Sequence, residues 1–191
     1  MLRGLMSCVL LSAAVGLAAD GGVPEGASAR AAIVRFHTSC VACHAAECSG
    51  RLSFDSGNAG ARGHVKRYAP TADDVVVREL FSLLTTLKRT CRHELPTAPS
   101  PQRYDPALLR EHFNPDAAAW FLPLGVHTRP TSVEVDVGVG EHAEVMLLDE
   151  GLETLAEVHG EGRLQLTAPA SKARTFLLVR RAKSLSRVEL R

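Results

Sequence analysis

Val133-Glu134-Val135-Asp136-Val137-Gly138-Val139 alternates valine with polar residues or glycine along its whole length. Successive side chains of a strand point to opposite faces, so a period of two gathers the valines on one side. The stretch reads as a strand with one face in a core. Further strands are expected at Glu144–Leu148, Glu153–His159, Arg163–Thr167, Thr175–Arg180 and Ser186–Leu190. Turn residues such as Asp149-Glu150-Gly151 and Gly160-Glu161-Gly162 separate most of them. Short strands at close spacing, with no helices between them, predict an all-β antiparallel sandwich over residues 117–191. Trp120 and Phe121 at its front are expected either in the core or over the boundary with the preceding half.

Upstream of that half the period changes. Pro96, Pro99, Pro101 and Pro106 crowd one segment, which predicts a stiff linker over 96–116. Before it, Val76, Leu80, Leu83, Leu84 and Leu87 recur at helical spacing and give a helix over 72–90 one apolar face. Thr71 with Asp74 reads as a relaxed capping box at its start. A second helix is expected over Ala29–Phe36 with Ser28 as its cap, and a short third over Ala61–Tyr68. Residues 20–28 read as a leader and 49–60 as a loop.

The 191 residues carry 22 Lys+Arg against 21 Asp+Glu, a formal net charge of +1. That balance lacks the clustered positive excess of a nucleic-acid surface, so no nucleic acid is expected as a partner. A hydrophobic share of 46% suffices for a buried core and excludes disorder by composition. Residues 1–19 have the form of a secretory signal peptide: Arg3, an apolar run from Leu5 to Leu17, then small residues up to Ala19. The run falls short of the roughly 20 apolar residues of a membrane span, so a membrane is expected only if the segment stays uncleaved. The mature protein is expected to be soluble and periplasmic or otherwise exported.

Cleavage would remove Cys8 and leave four cysteines, Cys40, Cys43, Cys48 and Cys91. In an oxidising compartment unprotected thiols tend to pair, so each needs a role. Cys40-Val41-Ala42-Cys43-His44 is a C-x-x-C-H pattern, the attachment site of a c-type haem. Two thiols three residues apart can both add to the vinyl groups of one porphyrin. The adjacent histidine can then ligate the iron from the proximal side. Two other chemistries use such residues. A thioredoxin-like dithiol needs a following βαβ unit, which is not visible. A zinc site could use Cys40, Cys43, Cys91 and His93, although Cys-x-His is tighter than usual zinc spacing.

With this motif the segment from about Ala29 to Thr90 resembles a short class I-like monohaem domain of the c-type cytochromes. Phe36 stands where that family carries an aromatic on its first helix, and Ala32 where first and last helices cross. The resemblance implies an all-α cytochrome c-like haem domain over 20–95, with one covalent haem c on Cys40 and Cys43 and His44 as proximal ligand. The family's usual second ligand, a methionine, is missing between His44 and Met146. His64 is the first candidate for the distal position and His93 the second. The alternative is an open sixth position. With Cys40 and Cys43 taken by haem, Cys48 and Cys91 are left to form a disulfide, or one of them to stay free or bind a metal. A bridge would close a loop of about 43 residues and contribute roughly 3–4 kcal/mol.

Residues 131–191 weakly resemble the small β-sandwiches of bacterial pre-peptidase C-terminal domains, through generic features only. The expected whole is a two-domain protein, an all-α cytochrome c-like domain followed by an all-β antiparallel sandwich. Its expected role is electron transfer with redox partner proteins in the exported compartment, as a carrier rather than an enzyme. Alternatives are a haem-based ligand-binding, sensor or small-molecule redox protein with an open coordination position, or a non-haem zinc or disulfide scaffold.

Overall fold

The computed structural model describes residues 26–44, 58–97 and 100–191. Residues 1–19, expected to form a signal peptide, and Cys48 lie outside them. Helix α1 (Ala27–Arg35) runs into a π-helical turn (Phe36–Cys40) and then α2 (Val41–His44). Helices α3 (Asn58–Tyr68) and α4 (Asp74–Thr90) follow, and a short α5 (Pro106–Glu111) lies further on. Nine strands are formed among the described residues: β1 (Arg103–Tyr104), β2 (Phe113–Asn114), β3 (Ala119–Val126), β4 (Thr131–Val137), β5 (His142–Leu148), β6 (Thr154–Glu161), β7 (Arg163–Ala168), β8 (Arg174–Arg180) and β9 (Leu185–Leu190).

The strands form two antiparallel sheets, one in the order β1-β9-β4-β7 and one in the order β2-β3-β8-β5-β6. Their facing sides make one core. Val133, Val135 and Val137 of β4 enter it as the alternation requires, against Val145 and Leu147 of β5 and Leu177 and Val179 of β8. The outer polar face of the smaller sheet is laced by ion pairs, with Asp136 between Arg163 and Arg187.

The larger sheet is apolar on both faces. In β3, Trp120 and Leu122 point into the sandwich while Phe121 points out, and in β8 Leu177 and Val179 point in while Phe176 and Leu178 point out. An exposed apolar sheet face must be covered, and α1 covers it. Val34 packs with Leu95, Phe121, Leu148, Phe176 and Leu178 in a common cluster. The other side of α1, with Ala32, Ile33 and Phe36, packs on Val76, Leu80, Leu83, Leu84 and Leu87 of α4. The result is three layers, sheet on sheet on helices.

This corrects the expected fold class. The chain is mostly β, and no all-α cytochrome c-like domain followed by a separate sandwich is present among the described residues. The helices share one buried cluster with each other, but α1 buries its other side against the sheet, so they form a layer on the sandwich and not a separate domain. Two local readings change with it. Segment 96–116, read as a linker, holds β1, α5 and β2. Helix α4 is capped by Asp73, whose carboxylate accepts from the Val76 N–H at 2.8 Å, while Thr71 is engaged elsewhere.

Candidate functional site

The apolar face of α4 also forms the floor of a cleft. Its walls come from the turn carrying Ser39, Cys40, Cys43 and His44, and from His64, Val65 and Tyr68 of α3, with Leu80 and Leu84 beneath. Helical spacing brings Cys40, Cys43 and His44 to one side of a single turn. Spacing of four then puts His64 and Tyr68 on one face of α3, their rings 5.1 Å apart. His44 is buried, at 7% exposure. Across the cleft its ring centroid lies 6.0 Å from that of His64, with the two planes 85° apart. The space between the walls is narrow, about 60 Å³.

Both C-x-x-C thiols are free. Burial, and then the neighbouring Cys43, push the Cys40 thiol up to about 11. A thiol of that kind is protonated at neutral pH and is a poor nucleophile for disulfide exchange. Cys91 closes α4 in the left-handed conformation (φ 54°) and is disulfide-bonded, its partner lying outside the described residues. A disulfide sulfur cannot serve as a thiolate zinc ligand, so the set Cys40, Cys43, Cys91 and His93 is not assembled. Among the described residues no group of three or more His, Cys, Asp or Glu side chains could hold a bare metal ion.

His93, the second candidate for the distal position, does not line the cleft. It sits with His37, ring centroids 5.6 Å apart, on the side of Phe36 that faces the sheet. His37 stacks on Phe121 at 4.6 Å, and its Nε2 donates to the Glu94 carbonyl at 2.8 Å. Burial lowers its pKa to about 4, with His93 adding to the effect and the Glu94 bond opposing it. His37 is thus a fixed neutral imidazole of the layer boundary. Lys66 reaches back to the Ala72 carbonyl and ties the α3–α4 turn.

Tyr68, Leu80 and Leu84 belong to the site without having been singled out in the sequence as parts of it. Tyr68 had a signal, its position four residues after His64. Two further residues reach the site from the sandwich. Asn114, fully buried, donates from its amide to Thr38 Oγ1 at 2.7 Å and Ser39 Oγ at 2.9 Å, the two residues before Cys40. Asp116 accepts from Arg35 Nε at 3.2 Å and from both the N–H and the hydroxyl of Thr71 at 3.0 Å.

No family model and no curated protein matches the chain. Among solved structures, a family GH115 4-O-methyl-α-glucuronidase with specificity for decorated arabinogalactans is similar at 10% identity and a TM-score of 0.30. The match covers 83% of this chain and 26% of that one, so the chain spans about a quarter of the length of the protein it resembles.

Proposed function

We propose that the protein is an exported monohaem c-type cytochrome working in electron transfer, with haem bound covalently through Cys40 and Cys43 and ligated by His44 and His64. The observation that carries this reading is the pairing of His44 with His64 beside the two free thiols. His44 and His64 face each other across the cleft with ring centroids 6.0 Å apart, and would hold the iron of such a group between them. The donor set therefore fits the group.

Breadth for a flat macrocycle has to come from the rim, where Tyr68 is 52% exposed and has room to turn outward. The thioether tether relieves the protein of enclosing the cofactor. When bound, such a haem supplies a one-electron couple between ferric and ferrous iron. The chain's own residues then do the rest. His44 and His64 hold the coordination unchanged, Leu80, Leu84 and Val65 keep water from the floor, and exposed Cys43 marks the edge nearest to partners. Two histidine ligands set the potential below that of a His/Met pair. Reaction partners are redox proteins of the exported compartment, and Cys48 is the proposed partner of Cys91.

The test is the ferric optical and paramagnetic resonance spectrum of the haem-loaded protein beside its His64→Ala variant. Low-spin iron in the parent and a high-spin fraction in the variant are expected. A parent already high-spin would replace the electron carrier with a protein that binds ligands at an open position.

A further inference from the structure

The end of β2 and the turn after it contact the segments that adjoin both walls of the cleft. On one side the Asn114 amide uses its two N–H hydrogens on Thr38 and Ser39, fixing the π-helical turn that leads into Cys40 and His44. The Thr38 hydroxyl is already committed to the Val34 carbonyl at 2.7 Å, so its oxygen is available only as an acceptor. The Asn114 carbonyl is held in turn by the Asp116 N–H at 3.0 Å, which settles the amide's orientation. On the other side Asp116, its side chain 1% exposed, grips Thr71 three residues after the end of α3, the helix that carries His64. Arg35 closes the network by pairing with Asp116 and donating to Thr71 Oγ1 at 3.1 Å. This network is buried at Asn114 and Thr38 and exposed at Thr71. Every member of it has a partner, which is the condition under which such networks rigidify their surroundings.

We infer that Asn114 and Asp116 are positioning residues, and that the β2–β3 hairpin of the sandwich sets the spacing between His44 and His64. This rests on the haem reading above. Neither residue touches the cofactor's ligands, and both act through the elements that carry them. The sandwich would on this view be a structural part of the haem site, holding the two imidazoles opposite each other across the cleft. Groups that support metal ligands in this way commonly change metal affinity by about tenfold or more when removed.

The experiment compares the haem-loaded full chain with Asn114→Ala, Asp116→Asn, Thr71→Val and Thr71→Ser, using ferric spin state and cyanide affinity, with far-ultraviolet circular dichroism to establish folding. Asn114→Ala, Asp116→Asn and Thr71→Val are expected to show a high-spin fraction and to bind cyanide about tenfold more tightly, because the His64 bond is loosened. Thr71→Ser keeps the hydroxyl and should keep the parent's spectrum. A haem-independent readout is alkylation of Cys40 in protein made without haem, expected to accelerate in Asn114→Ala while exposed Cys43 is unchanged. If either buried variant fails to fold, the exposed Thr71 pair decides the question by itself. Folded variants with the parent's spin state and cyanide affinity would overturn the inference while leaving the haem reading intact. A parent chain that takes up no haem would instead sink the haem reading, and this inference with it.

Discussion

The sandwich and the helical layer bury their apolar side chains in different ways. The sandwich closes its main core from strands of two sheets that supply both faces, with alternating patterns in β4 and β7 and with Leu108 and Leu109 of α5 added at one edge. The helical layer cannot do this. Helix α1 has α4 on one side only, and its other side is completed by Phe121, Phe176 and Leu178 of the larger sheet. The difference teaches that a change of sequence period need not mark a domain boundary. A helix that is apolar on two sides and a sheet that is apolar on two faces solve each other's burial problem.

The sharpest way to break this comparison is Phe121→Ala. Its ring is fully buried between His37 and Phe176, with centroids 4.6 and 5.4 Å away. Truncation should cost about 3–5 kcal/mol. Denaturant unfolding followed by helix dichroism and by the fluorescence of Trp120, the single tryptophan, should show both transitions coincident and both lowered. Separate transitions, with only one of them moved, would restore two independent domains.

Acid should act on the same boundary. His37 titrates near 4 in the folded chain because it is buried, well below its ordinary 6.5. His112, whose Nδ1 is buried without a partner, is also lowered to about 4, by burial first and then by the Arg30 charge. Between these values the unfolded chain takes up the protons and the folded one does not, so stability is complete above about pH 6.5 and falls as pH drops toward 4. The loss approaches roughly 3 kcal/mol per imidazole at the lower limit. Urea titrations at several pH values should show it, with a shallower slope in His37→Phe. A slope unchanged by that substitution would remove His37 from the boundary's pH response.

The smallest effect belongs to a residue that serves the helical layer alone. Asp73→Ala removes the cap of α4 and should cost about 1 kcal/mol by the same titration, with no change in the ferric spectrum of the chain if it carries the proposed haem. A spectral change would mean that the α4 start is coupled to the cleft as tightly as is proposed for the hairpin.

Much of this was legible in the residues. The strand period of β4, the apolar stripe of α4 and the C-x-x-C-H turn are local patterns, and local patterns survive in a sequence. Strand β3 was not legible as such because Trp120-Phe121-Leu122 is apolar at successive positions, as a strand buried on both faces must be. Asp105-Pro106 starts α5 with a cap and a proline at its first turn, a helix signal that the neighbouring prolines masked. The pairing of His64 with His44 depends on how α3 is turned on α4. Asn114 and Asp116 meet residues 45 to 81 positions away. No short-range pattern encodes contacts of that separation.

The most direct test of the central claim is the intact mass of the full chain, exported from a host competent in cytochrome c maturation, together with a haem stain of the denatured protein. One haem retained on the peptide containing Cys40 and Cys43 is the expected result. A colourless chain with both cysteines unmodified would contradict the haem reading, and the electron-transfer role would fall with it.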